Sequence, residues 1–272
     1  PTVCPEFLKA ASLEMAREAG VALLFHAWGA EPILQGKAVR GVIFESKQGR
    51  RAILAKVTID ATGDGDLYAR AGAAFADDVD TRDIHHCMNT SWTFAGVDMP
   101  RYLAWRAEKP DEFAEFMRRG KERVGFFDKA FASWRDDVAL FMGPRLAGYS
   151  AVMVDDLSEV EILSHRLMLR HLEVYRAEAP GFAGAFPMLS APQLGVRHAR
   201  RLGGVGSVTR AMWDGRVAPD EIGVSPSLAP QFQPVSVPYG ALVPAVLEGL
   251  LAPGRHLACD ATSHSFLREI PQ

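Results

Sequence analysis

The run from Val57 to Gly72, VTIDATGDGDLYARAG, constrains this chain more than any other stretch. Ala55, Val57 and Ile59 alternate with polar residues, which predicts a buried strand. Gly63 and Gly65 follow, where the backbone can take conformations that a Cβ forbids, and Leu67 to Ala71 resume helical character. A strand, a glycine turn and a helix in that order bring bare peptide groups up to whatever lies beyond the strand's carboxyl end. In open α/β sheets that is where ligands bind. Two other readings of the same residues stay open. One is a turn that only joins strand to helix. The other is a calcium loop opened by Asp60, Thr62, Asp64 and Gly65, although its twelfth position, which calcium needs as Glu, is Ala71.

Ile59-Asp60-Ala61-Thr62-Gly63-Asp64-Gly65-Asp66 resembles the DATGDGD turn of the FAD-dependent oxidoreductases, which are more distantly related to the glutathione-reductase and fumarate-reductase flavoproteins. Pro180-Gly181-Phe182 and Gly195 to Leu202 are similar to that family's PGF and GVRETRRI segments. Val237 to Pro244 is similar to its IPYRALVP strand and Leu250 to Arg255 to its LLVAGR strand, with Arg268 and Pro271 where the family has Arg and Pro. The resemblance covers nearly the whole chain. It implies an α/β fold: an incomplete FAD-binding Rossmann-like domain with a β-meander, plus an inserted mixed α/β substrate domain. Residues 1–76 and 237–272 are then the parts of the FAD-binding domain, and 77–236 the substrate domain.

The resemblance also implies that the chain is a fragment, with a G-x-G-x-x-G segment before Pro1 and a helix after Gln272. Gly203-Gly204-Val205-Gly206 lacks the spacing to be that fingerprint. These 272 residues alone are accordingly expected to hold FAD weakly or not at all.

Thirty Lys and Arg against 33 Asp and Glu leave a net charge of −3, without the broad basic footprint of a nucleic-acid binder. Cys4, Cys87 and Cys259 are odd in number and far apart, which fits a reducing compartment and no zinc site. No apolar run is long enough to span a bilayer. The expectation is a cytoplasmic enzyme acting on a small molecule, with no nucleic-acid or membrane partner and no bound metal.

Apolar spacing predicts a helix over Pro5–Ala19 ended by Gly20, then a strand over Val21–Phe25 buried on both faces. Val39–Glu45 and Arg51–Ala55 read as a hairpin. Asp77 to His86 is polar and irregular and marks a domain boundary. Met88–Val97 reads as a strand and Pro110–Arg119 as a helix. Ser158–Ala177 reads as a second helix, capped by Asp156 or Ser158. The aromatic residues of Gly125–Trp134 are read as core in preference to a substrate wall. Pro226–Pro238 is read as a return linker and Leu247–Leu257 as the last strand, broken at Pro253-Gly254.

Thr62, Gly63 and Asp64 are expected against the adenosine or pyrophosphate half of FAD, with Gly65 permitting the approach. Gly254 and Arg255 match the family's second contact, where Arg255 either forks onto phosphate or makes a surface ion pair. Asp260 is a candidate acceptor for ribityl hydroxyls, although the family has no acid there. Arg197, at the family's GVR position, is the candidate for binding a substrate carboxylate or keto oxygen, and His198 for proton transfer. His198 and Ala199 replace the family's Glu and Thr, so a structural His198 stays open. Arg200 and Arg201 are expected to be structural. Gly240 stands where the family has Arg. The implied reaction is hydride transfer to or from a small organic substrate. Monooxygenation and ene reduction on the same cofactor fold, and a non-catalytic metal-binding domain, are the alternatives.

Overall fold

A computed structural model describes residues 3–78, 82, 86–226 and 233–268. It opens with α1 (Pro5–Glu18), which ends as its glycine predicts. Gly20 takes a φ of +71° and donates to Arg17 O at 2.9 Å, while Val21 donates to Ala16 O at 3.0 Å. This paired closure satisfies two carbonyls that a helix end otherwise leaves open, and it needs a residue without Cβ at the left-handed position. None of the α1 side chains is buried.

The strand expected at Val21–Phe25 does not form. These residues pair with no described strand, and a strand needs a ladder for its backbone N–H and C=O groups. Val21, Leu24 and Phe25 are instead exposed. The hairpin does form, as part of an antiparallel meander of β1 (Ala27–Gln35), β2 (Ala38–Ser46) and β3 (Gly49–Leu54). Ser46 lies opposite Gly49, so only Lys47 and Gln48 make the turn. Sequence reading missed β1, which carries Pro32 and two register shifts. It is an edge strand, one of the few places in a sheet where proline is tolerated.

Next come β4 (Thr58–Ile59), α2 (Asp66–Arg70), β5 (Phe75–Ala76), β6 (Met88–Asn89), β7 (Trp92–Ala95), α3 (Met99–Glu108) and α4 (Pro110–Val124). They are followed by β8 (Phe131–Ala132), β9 (Val138–Phe141), α5 (Val154–Glu178), β10 (Phe186–Ser190) and β11 (Gly195–Val196). The chain closes with β12 (Arg201–Leu202), a 3-10 turn at Arg210–Asp214, β13 (Glu221–Ser225), β14 (Val235–Pro238), a second 3-10 turn at Tyr239–Leu242, β15 (Leu250–Leu251) and α6 (Ala261–Leu267). Helices and small sheets intermix along the chain, an α/β fold. Among the described residues no helix is long and apolar enough to cross a membrane.

The chain divides into two compact units, Pro1–Leu23 with Thr81–Val196, and Leu24–Asp80 with Arg197–Gln272. The return therefore falls at Arg197, against the expected 237, and α1 groups with the middle of the chain. The early return has a packing reason: Trp213 and Val235 share one core with Tyr68 and Leu250. The proline-rich stretch read as a linker ends in β14, which pairs with β13; residues 227–232 of that stretch lie outside the described residues.

In the unit containing Thr81–Val196, a four-stranded antiparallel sheet runs β10-β7-β9-β8. Its core is aromatic: Trp92, Phe94, Tyr102, Phe116, Phe141, Tyr175 and Phe182 are almost wholly buried, and Phe127 joins them as expected of core. The single strand read over Met88–Val97 splits into β6 and β7. α3 was not foreseen; Asp98 Oδ1 accepts the Arg101 N–H at 3.0 Å and caps it. α5 starts four residues ahead of Ser158. Asp156 accepts from Ser150 N at 2.7 Å and Ser158 donates to Val154 O at 2.7 Å, so neither is its cap.

Candidate functional site

β4 and β15 form a parallel pair, Thr58 opposite Leu250 and Ile59 opposite Leu251, extended by a bond from Asp60 N to Leu251 O at 2.7 Å. Both strands run out in the same direction. The turn from Asp60 to Asp66 and the turn from Pro253 to His256 therefore lie side by side, beyond the carboxyl ends of parallel strands, where α/β sheets leave their crevice.

Asp60 organises the first turn. Its Oδ1 accepts from Thr62 N at 3.1 Å and Thr62 Oγ1 at 2.7 Å, and its Oδ2 from Leu67 N at 3.1 Å and Tyr68 N at 2.9 Å. Four donors compensate a carboxylate with no exposure to water. This explains why the pleat of β4 is inverted. Thr58 and Asp60 face inward while Val57 and Ile59 are more than half exposed, because the carboxyl group has to reach the start of α2. Thr62 Oγ1 also accepts from Asp66 N at 3.0 Å, so the hydroxyl expected at a ligand braces the turn. Gly65 takes a φ of +70°, and a Cβ there would stand 2.1 Å from the Tyr68 ring.

The second turn meets the first at Gly63. A Cβ on Gly63 would lie 2.6 to 2.8 Å from the Arg255 guanidinium, whose NH2 donates to Asp64 Oδ1 at 2.8 Å. Arg255 is thus ion-paired with Asp64, both side chains being partly buried. Burial pushes the Asp64 carboxyl up from its ordinary range, and Arg255 opposes that shift. Arg200 NH1 donates to Asp64 O at 2.9 Å and to Asp66 Oδ1 at 3.2 Å. Gly254 is at a φ of +111°, and a Cβ there would meet only the His256 ring within 4 Å. His256 Nε2 donates to Asp60 O at 3.0 Å, which ties the two turns through a fully buried ring. Among the described residues nothing accepts the N–H of Gly63 or Asp64. Two unclaimed N–H groups beside a guanidinium, with no Cβ between them, suit a phosphate or pyrophosphate.

Other candidates fall elsewhere. Asp260 Oδ1 accepts from Ser263 N at 2.7 Å and Oδ2 from Arg210 N at 2.6 Å, so it caps α6 and ties down the neighbouring 3-10 turn. His198 is 1% exposed, stacks on His264 at 4.0 Å between centroids, and lies 3.1 Å from Arg201 NH1 through its Nε2. Arginine only donates, so Nε2 is the acceptor. In this conformation the ring is closed to water and packs as a support beside Arg201, the structural alternative left open for it. Arg201 continues to Cys259 O at 3.0 Å and Asp78 at 2.6 Å. Burial pushes the Cys259 thiol up to about 12, against the opposing pull of Arg201. Arg197, half-buried, follows β11 directly.

Gly240 leaves no room for a side chain, since a Cβ there would come within 2.9 Å of Gly206 N. Pro271 and residues 79–81 and 83–85 of the polar boundary stretch lie outside the described residues. Among the described residues no three His, Cys, Asp or Glu side chains cluster as metal donors, and the acidic groups of the first turn are engaged by the chain's own donors. Sequence reading missed Asp60 and His256 as organisers. Asp60 carries a signal, an acid two residues before Thr-Gly and just ahead of a helix start; His256 carries none, since its partner is far away in the chain.

A family model described as FAD dependent oxidoreductase matches residues 2–272. No curated protein matches the chain.

Proposed function

Because the chain belongs to the FAD-dependent oxidoreductases, we propose that its Gly63 and Gly254 turns hold the diphosphate side of FAD in a Rossmann-like arrangement, while a small organic substrate gains or loses a hydride. The isoalloxazine ring supplies the two-electron chemistry when bound. The chain's own contribution is binding and orientation. Gly63 and Asp64 offer N–H groups, Arg255 offers a planar cation, and Asp60 keeps the turn in shape by gathering the donors around it. Arg197 is the residue for a substrate carboxylate or keto oxygen, where a guanidinium stabilises developing negative charge. His198 acts through Arg201, as a buried support.

The juxtaposition of Gly63 and Arg255 at the carboxyl ends of β4 and β15 carries this reading. Its test is a titration of the chain with FAD, followed by flavin fluorescence and repeated with ADP as competitor. Weak but saturable quenching, reached only at high FAD concentration, that ADP reverses and that Gly63→Val weakens by roughly tenfold or more, is the expected result. Quenching that never saturates, or that Gly63→Val leaves unchanged, overturns the reading.

A further inference from the structure

We propose that Asp64 is an internal stand-in for the ligand's phosphate: its carboxylate holds Arg255 until a phosphate anion displaces it, and the displaced carboxyl group then takes up a proton. The proposal rests on the reading of these turns as a diphosphate site and adds a competitor and a proton to it.

Arg255 is under-used where it stands. Of its five N–H donors, one bond is made among the described residues, NH2 to Asp64 Oδ1 at 2.8 Å. Its Nε is buried and has no acceptor among the described residues. A guanidinium is built to bind two oxygens of one anion side by side, and a single carboxylate oxygen leaves that capacity idle. Nε is closed off and the NH2 beside it is held by Asp64. A phosphate that takes this side-on fork with two oxygens has to displace the Asp64 carboxylate, which makes that mode of binding an exchange of partners.

Gly63 makes room for that exchange, since the guanidinium already occupies the space a Cβ would need. The two unclaimed N–H groups of Gly63 and Asp64 stand at the same turn.

The proton follows from charge. Facing the Asp64 carboxyl group are Arg255, Asp66 and His256, with Arg200 bonded to the Asp64 carbonyl and neutralised by Asp66. Burial already pushes Asp64 up, and Arg255 is the main group holding it down. Once Arg255 turns to phosphate, that restraint is gone and a second anion is close by. Both changes favour the neutral carboxyl group. Phosphate binding and proton uptake are therefore linked, and binding weakens as pH rises.

The test is calorimetric titration of the chain with ADP from about pH 5.5 to about pH 8, on wild type, Asp64→Asn, Asp64→Ala and Arg255→Gln. Taking the ratio of wild-type to Asp64→Asn affinity cancels the titration of ADP itself. Expected are a gain of roughly tenfold for Asp64→Asn at the alkaline end, a gain that shrinks toward the acid end, and the same direction for Asp64→Ala. Arg255→Gln should abolish the pH-dependent part. If wild type binds ADP and Arg255→Gln weakens it, but both Asp64 variants bind no better than wild type at any pH, the exchange is refuted and the diphosphate site stands. If neither Arg255→Gln nor Gly63→Val affects ADP binding, the site reading falls as well. Absence of ADP binding in wild type and in both Asp64 variants overturns the proposal outright.

Discussion

The core of the unit containing Thr81–Val196 is a mosaic of rings. Phe141 packs 4.9 Å from Phe94 and 5.0 Å from Tyr175, and Tyr175 lies 4.7 Å from Phe182. The unit of Leu24–Asp80 and Arg197–Gln272 is filled by different material. Ala241, Ala252, Ala258 and Val39 leave its backbones close together, as where Gly206 N donates to Gly240 O at 2.9 Å, and Asp60, His198, Arg201, His256 and His264 are buried among them. Large apolar rings fill volume and ask little of the backbone. Small residues let turns meet, at the cost of burying polar groups that each need a partner. The candidate site lies in the second kind of core, where bare peptide groups can be presented and held.

Mutations of each kind separate these two modes of stabilisation. Phe141→Ala should have the largest effect, a loss of about 4 kcal/mol in urea unfolding followed by tryptophan fluorescence, because the rings around it cannot collapse into the space. Asp60→Ala should cost about 3 kcal/mol, although it removes fewer atoms, by stranding the N–H groups of Leu67 and Tyr68; Asp60→Asn should cost a similar amount, because its NH2 only donates and would face N–H groups that need an acceptor. A small effect of Asp60→Ala would show that polar satisfaction is not what holds the second core.

Acid reaches the aromatic unit through a buried imidazole. His171 donates from Nδ1 to Leu167 O at 2.8 Å and accepts at Nε2 from Asp128 N at 3.0 Å, and burial lowers its pKa to about 4. The unfolded chain takes up a proton near the ordinary histidine value while the folded one does not, so stability falls as pH drops below about 6.5 and continues to fall until about 4. The loss reaches about 2 kcal/mol at pH 5. Unfolding measured across this window should lose that slope in His171→Gln. Gly63→Ala should cost about 1 kcal/mol, from its φ of +82° alone, since the Arg255 side chain can move aside. Arg118→Ala, which removes ion pairs to Glu115 and Glu122 on the exposed face of α4, should leave the unfolding midpoint unchanged within error.

Much of the turn at Thr62–Gly65 was legible in the sequence, because positive-φ glycines between a short strand and a helix have few other uses. Gly20 announced the end of α1 for the same reason. What stayed illegible depends on distance along the chain. Val57 and Ile59 look like an inward face, and only the reach from Asp60 to α2 reverses them. Val21–Phe25 has a strand's composition without a described neighbour to pair with. Pro32 hid β1, since nothing local says that a strand lies at an edge. At the site, Arg255 could be placed near phosphate by motif, but its bond to Asp64 joins residues from opposite ends of the chain, and no local pattern contains it.

The division of labour within the first turn has a corollary. Asp60 collects the hydrogen-bond donors on either side of it, so the exposed Ala61 next to it carries no architectural duty. Substitutions at that position should therefore leave the melting temperature flat, whatever the size or charge of the new side chain.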